Sequence, residues 1–354
     1  MQIHKLSLVA SLVLASIAAQ AQVATTPETE FYGLLDVGVR DSSNQNAAGK
    51  SKSELADGAL SGSRLGLRGK RTIGSVTALY TAEAGFAPDT ATSSQGGRLL
   101  GRQLFAGLDS DFGTVLGGRQ YTVAHDVLSR FEALGFANNA ILGYQDANYT
   151  GLRYDNTLKY LKAWGPLSVE AAHSFGEVAG SNAGSADGVG AVYVVGDLTV
   201  GASYQETKNV TSAYFGAVAA AQASKQKVFG GGLTYQWNAS RLYAGYTDSK
   251  LDVADYKNRV YYLGVNHQAT SSLQIVASVQ GDKEDHAGGT GNRITSTLLV
   301  DYFLDKATDV YAEVDYTKVK DGWIALANNT ALGTGNMFGK DKRSGVMLGL
   351  RLKF

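Results

Sequence analysis

Apolar side chains recur at every second position along most of this chain. Leu298, Val300, Tyr302 and Leu304 are separated by polar residues that include Thr297 and Asp301 on the flanking parity. Val310, Ala312, Val314 and Tyr316 alternate with Glu313, Asp315 and Thr317, and Leu273, Ile275, Ala277 and Val279 with Gln274, Ser278 and Gln280. Leu198, Val200, Ala202 and Tyr204 follow the same rule. Period two means β-strands with one apolar and one polar face. The pattern runs from Phe31 to Phe354 without a composition break, so a single domain is expected, with 22–29 a short polar tail.

The connections decide between a soluble sandwich and a membrane barrel. Short ones are read at Ile73-Gly74, Asp109 to Phe112, Gly165-Pro166, Gly196-Asp197, Asn238 to Ser240, Thr270 to Ser272 and Asp305 to Ala307. Long ones fall near 41–61, 87–97, 122–151, 177–187, 207–225, 249–258, 282–292 and 320–341. They alternate along the chain, so all short turns lie at one end of the strands. Transmembrane β-barrels sort their loops this way, with short periplasmic turns and long outer loops, whereas sandwiches have no reason to. Seven turns and eight loops predict an all-β, antiparallel transmembrane barrel of sixteen strands. That leaves about 21 residues per strand and connection, enough for the roughly 10 that a tilted spanning strand needs.

Trp164 and Trp237 lie beside short turns, and Tyr235 and Tyr302 share the apolar parity near the same end, where an interfacial aromatic girdle belongs. In the last segment Val346, Leu348, Leu350, Leu352 and Phe354 alternate with Met347, Gly349, Arg351 and Lys353. This apolar strand with Phe354 as final residue is similar to an outer-membrane barrel assembly signal.

Composition narrows the classes further. The 354 residues hold 43 Gly and 19 Tyr but only 3 Pro and no Cys. Thiol catalysis and thiolate metal sites are excluded. Beyond the first residues no apolar run approaches the 18 or so needed for a membrane helix. Lys and Arg total 32 against 32 Asp and Glu, so there is no bulk attraction for nucleic acid. Residues 1–21 are expected to be a cleaved secretory signal: His4 and Lys5, the apolar stretch from Leu6 to Ala19, then Ala19-Gln20-Ala21.

Few side chains suggest chemistry. Gly49-Lys50-Ser51 resembles the end of a phosphate-binding loop, but position 44 is Asn where that pattern needs Gly. His173 and Ser174 are neighbours in a strand, so they point to opposite faces and form no dyad. Asp282, Glu284, Asp285 and His286 form an acidic run without calcium-loop spacing, read as a solvated charge run. The remaining histidines, His125 and His267, have no partners at useful spacing, so neither an enzyme site nor a metal or cofactor site is expected.

The arginines are more informative. In Ser63-Arg64-Leu65-Gly66-Leu67-Arg68-Gly69, Arg64 and Arg68 oppose Leu65 and Leu67, and Arg102 is placed on the face opposite Phe105. Gly118-Arg119-Gln120-Tyr121 precedes the 122–151 loop and Leu152-Arg153-Tyr154 follows it. A charge facing lipid at mid-membrane costs about 2–4 kcal/mol, so these cations are expected in the lumen.

These motifs, with Tyr32-Gly33-Leu34-Leu35-Asp36, Phe112-Gly113, Arg153-Tyr154-Asp155-Asn156, Lys159-Tyr160 and the final Phe354, resemble Gram-negative general diffusion porins of the betaproteobacterial type over essentially the whole mature chain. The resemblance implies an outer-membrane location among lipid and lipopolysaccharide, a homotrimer, and a third outer loop, about 122–151, folded into the pore. It also implies a constriction in which Arg64, Arg102 and Arg153, with Arg119 and the loop's own Arg130, face Asp126, Glu132 and Asp146. Cations outnumber acids there, so a water-filled pore for small hydrophilic solutes with a weak to moderate anion preference is expected. A channel specific for a sugar or organic anion is the competing reading, since tyrosines such as Tyr311 have lumen parity.

Overall fold

The computed structural model describes residues 27–137, 149–208, 225–252, 256–286, 289–327 and 337–354. The expected signal segment and Asp146 lie outside them. No helix among the described residues is long and apolar enough to cross a membrane; any crossing is by strands.

The strands form one antiparallel sheet that closes on itself. Strand β1 (Glu28–Ser42) pairs with β18 (Lys342–Lys353), with Leu34 opposite Lys353 and Ser42 opposite Gly345. On its other side β1 meets two strands in series. The outer half, Val37 to Ser42, pairs with β2 (Lys52–Asp57), and Glu28 to Leu34 pairs with β3 (Arg64–Ile73). These two share one position in the wall, split by residues 58–63. The short β5 (Thr92–Ser93) pairs only with β4 (Val76–Ala87) inside an outer loop. Sixteen wall positions result. Beside Lys353, the Phe354 N–H donates to Gly33 O at 3.0 Å and Gly33 N–H donates back to Phe354 O at 2.7 Å.

Alternation sets the two faces as expected. Leu298, Val300 and Tyr302 of β16 (Gly289–Phe303) are exposed outward, while Thr295, Thr297 and Asp301 are buried inward. All seven short connections are turns between consecutive wall strands. Gly165 and Gly196 sit in two of them with φ of 56°, the left-handed region that a side chain disfavours. In the last turn, amides of Ala307 and Thr308 donate to the Asp305 carboxylate, both at 2.7 Å, which holds its pKa below the usual range. Trp164, Trp237, Tyr235 and Tyr302 are exposed on the outside near this end, as an interfacial girdle requires.

The outer end departs from the sequence reading. The expected loop at 282–292 is mostly strand: β15 (Leu273–His286) and β16 leave only 287–288 between them. The loop at 249–258 shrinks likewise between β13 (Ser240–Leu251) and β14 (Lys257–Thr270), and 41–61 contains β2. These extensions lack an apolar face, because above the membrane neither face has lipid to meet. Ladder hydrogen bonds alone carry them on.

Candidate functional site: a loop and an arginine cluster in the lumen

The connection after β7 (Gly113–Tyr121) turns into the barrel. Helix α1 (Val123–Leu128) starts at Thr122, whose hydroxyl accepts from His125 N–H at 3.1 Å. Val123, Ala124, Val127, Leu128 and Phe131 are buried against Val192 of β10 (Ala186–Val195) and Val228 of β12 (Lys225–Trp237). Both are lumen-parity residues, so the loop lies inside.

Glycines in the inner wall make room for it. A Cβ on Gly190, Gly201, Gly230 or Gly232 would come within 3.0 Å of Val127, Phe131 or Leu128. Further along, Ala133 and Leu134, with Leu60, pack on Ala56, Ala59, Val276, Leu299, Tyr311 and Met347 across the lumen. The returning end is held as well. Gln205 donates to Thr150 O at 2.8 Å, and Tyr149 hydrogen-bonds Asp282. Arg293 donates to both Tyr149 and Asp282, at 3.0 and 2.9 Å, and stacks 4.1 Å over the Trp323 ring of helix α2 (Gly322–Ala327). Asp282 thus anchors this loop rather than joining a solvated charge run.

Three of the expected arginines converge. Arg102 Nε donates to Glu83 Oε1 at 2.7 Å, and Arg64 Nη1 stands 4.0 Å from Glu83 Oε2. Tyr32 OH donates to the same Oε2 at 2.9 Å. Arg102 and Arg153 both donate to Tyr121 OH, at 3.0 and 2.6 Å, and Arg153 lies 4.2 Å over the Tyr121 ring. Two guanidinium groups therefore flank one carboxylate, and that of Arg153 joins them through Tyr121, on the lumen side of β3, β4, β7 and β8 (Arg153–Trp164). Glu83, Tyr32 and Tyr121 complete the cluster beyond the residues that the sequence reading names. Glu83 was legible as the acid at lumen parity on the strand after Arg64.

Arg102 reaches the cluster for a reason other than parity. It precedes β6 (Gln103–Ser110), outside the alternation, and Phe105 pairs with Thr81 on the lumen face. The expected opposition of Arg102 and Phe105 across the wall is therefore corrected.

The other expected residues go elsewhere. Arg119 is opposite the outward Leu104, donates to Gly101 O at 2.7 Å and pairs with Asp155 at 2.7 Å, beside Arg98. Asp126 pairs with Lys159 at 2.5 Å, and Arg130 Nε donates to Asp126 O at 3.0 Å. Asp126, Arg130 and Glu170 line a space of about 480 Å³ below the loop, toward the short turns. Glu132 is buried and accepts from Ser278 Oγ at 2.8 Å and from its own loop's amides at Leu134 and Phe136. It therefore does not face the arginines. His173 points outward to Asp187 while Ser174 bonds Thr157 inside, as strand parity requires. Among the described residues no group of three or more His, Asp or Glu is placed to hold a metal ion.

A closed wall of this size with a loop folded into it is a channel, and residues 8–322 match the family model described as Gram-negative porin. The chain belongs to the Gram-negative porin family. An outer membrane porin of Bordetella pertussis is 26% identical, covering 94% of this chain and 98% of its own length. Outer membrane porin protein 32 of Delftia acidovorans is also 26% identical, over 99% of this chain and 100% of its own. Among solved structures, an anion-selective porin from Comamonas acidovorans superposes with a TM-score of 0.76 at 22% identity, covering 93% of this chain and 100% of that one. OmpT of Vibrio cholerae in its trimer form superposes with a TM-score of 0.69 at 17% identity, covering 93% and 100%. This porin is an outer-membrane channel for passive diffusion and not an enzyme.

Proposed function

We propose that this porin prefers small anions, and that the cluster of Arg64, Arg102 and Arg153 around Glu83 sets the preference where the inward loop narrows the pore. The observation that carries this reading is the charge count of this cluster, joined through Glu83 and Tyr121: three permanent cations and one acid. An ion crossing a pore narrowed by the loop passes within the screening length of about 8 Å at physiological salt, so local charge outweighs the neutral total. The solved Comamonas relative is described as anion-selective, which agrees in sign.

The test is the reversal potential across a planar bilayer in a salt gradient. An anion-signed potential is expected, shrinking as salt rises from 0.1 to 1 M and screening shortens from about 10 to 3 Å. Arg102→Glu is expected to move the potential toward cations. A cation-signed wild type overturns the reading. The porin is further proposed to assemble as a homotrimer with its outer wall among outer-leaflet lipid and lipopolysaccharide; native mass spectrometry in mild detergent reads the copy number.

A further inference from the structure

Four neighbouring wall strands break the alternation. Leu79-Tyr80 of β4, Leu104-Phe105 of β6, Val115-Leu116 of β7 and Tyr160-Leu161 of β8 each set two apolar residues side by side, one per face. Tyr80, Leu104, Val115 and Tyr160 are exposed outward, as lipid requires. Their neighbours point inward. Leu79 is opposite Gly107, Gly107 is opposite Leu116, and Leu116 is opposite Lys159, which pairs with Asp126 of the inward loop. Phe105 is one inward position from Gly107, and Leu161 is one from Lys159. A Cβ on Gly107 would come within 2.6 Å of Leu116 Cδ2, so the Leu116 side chain lies over that glycine and joins the four into one apolar shelf.

Elsewhere the inward loop covers apolar residues of the lumen wall. Helix α1 and Phe131 lie on Val192 and Val228, and Ala133 and Leu134 lie on Val276, Leu299, Met347 and Tyr311 of β17 (Thr308–Asp321). The shelf instead borders a space of about 890 Å³, lined by Leu79, Phe105, Leu116 and Leu161 with Thr81 and Thr114. Among the described residues none of those lining it comes from the loop. All four apolar side chains are partly exposed. A wet apolar surface gains free energy from whatever apolar body covers it.

Position and charge identify that body. Glu83, with Arg64 and Arg102 beside it, is opposite Gln103, and Phe105 is the next inward position toward the short turns. Successive inward positions are about 7 Å apart. Charges at the shelf's own rim cancel: Arg68 pairs with Glu30 at 2.7 Å and Lys70 with Glu28 at 3.2 Å. The surplus of cations is therefore at the upper edge of the shelf, where the Arg64 side chain is partly exposed. An anion held there has its remaining atoms over Phe105, then over Leu79 and Leu116. A hydrophilic anion gains nothing from that wall, whereas an aromatic ring or short alkyl chain does. Apolar lining with a charged group to fix orientation is the usual form of a small-molecule site. We propose that the shelf is a subsite for the apolar body of an amphipathic monocarboxylate whose carboxylate rests on Arg64. This names a solute class for the anion reading of the cluster and rests on that reading.

The test places the full-length porin in planar bilayers in potassium chloride and adds sodium acetate, butanoate and hexanoate in turn. The three share one charge, so the cluster alone does not rank them. Chloride current through the wild type is expected to be blocked at concentrations that fall about two- to fourfold per added methylene, the range from half to full burial of that group. Butanol and hexanol, which lack the carboxylate, are expected not to block. The double variant Phe105→Thr, Leu116→Thr is expected to flatten the trend and to keep the wild-type reversal potential for chloride. Thr81→Val exchanges a hydroxyl for a methyl in the middle of the shelf and is expected to steepen the trend, which tests the shelf even where the double variant fails to fold. A wild type without the trend, a trend that survives in the double variant, or one unchanged by Thr81→Val overturns the shelf. Block by hexanol at the hexanoate concentration overturns the carboxylate class and makes this a site for uncharged apolar solutes. A cation-signed wild-type potential overturns the cluster reading and the Arg64 anchor with it, whereas an anion-signed potential without the trend overturns the shelf alone.

Discussion

Two stretches of the lumen wall use the same chemistry to opposite ends. On β3 to β8 the cluster around Glu83 has three guanidinium groups for one carboxylate, and the Arg64 side chain is 24% exposed to the pore. On β17, β18 and β1, Arg40 bonds Asp315, lies 3.7 Å from Glu313 and donates to Ser42 at 2.9 Å, with its side chain 1% exposed. Nearby, Asp36 accepts from Tyr311 OH at 2.8 Å and from Ser61 N–H at 2.7 Å. The second group is shut away from solvent, and its arginine is spent on two buried carboxylates. The first keeps an excess of cations, and Arg64 opens it to the lumen. On the function proposed above, a charge cluster in a pore wall is selective through surplus and access, not through the presence of arginine.

The sharpest way to break this comparison is Arg40→Ala. It strands two buried carboxylates and is expected to lower stability by about 3–5 kcal/mol. The readout is the denaturation midpoint of the folded barrel in detergent, and near-wild-type selectivity is expected in whatever fraction inserts. A large selectivity change at unchanged stability would reverse the roles of the two walls. Next comes Phe131→Ala, which empties the glycine-lined seat of the loop lying between them. Loss of a fully buried Phe costs about 3–5 kcal/mol at its site. The expected result is higher, noisier single-channel conductance with weaker anion preference, because the ion then passes farther from the cluster. Unchanged conductance would mean that the loop does not limit the pore. The smallest effect is expected from Arg119→Gln. Its pair with Asp155 is on the outward parity and partly exposed, so about 0–1 kcal/mol is at stake. Its reversal potential should match the wild type; a shift as large as that of Arg102→Glu would put Arg119 back among the selective residues.

How far the site was legible follows from particular residues. Arg64 and Arg153 were placed in the lumen by cost alone, since a charge in lipid is expensive and alternation says which face is which. Arg119 defeats that rule because the β7–β8 register shifts between Gly118 and Gln120, which resets parity just before the loop. In sequence Glu132 is a candidate partner for cations, but a buried carboxylate takes whatever donors are nearest, here Ser278 and two loop amides. The glycines at 190, 201, 230 and 232 looked like generic strand glycines. Their meaning depends on Val127, Leu128 and Phe131 lying against them, and those residues are 60 to 100 positions away in sequence, roughly, with no local signal linking the two.

The sequence by itself determined the barrel. Alternation, the sorting of short turns to one end and the aromatic positions beside them are local properties, each imposed by a wall with lipid on one side and water on the other. The count of sixteen strands follows from them. Only the tertiary structure decided where the inward loop is seated, which arginines share one carboxylate and which carboxylates are shut away from the lumen. Those depend on distances between strands far apart in the chain, and a period of two specifies a face without specifying what stands across from it.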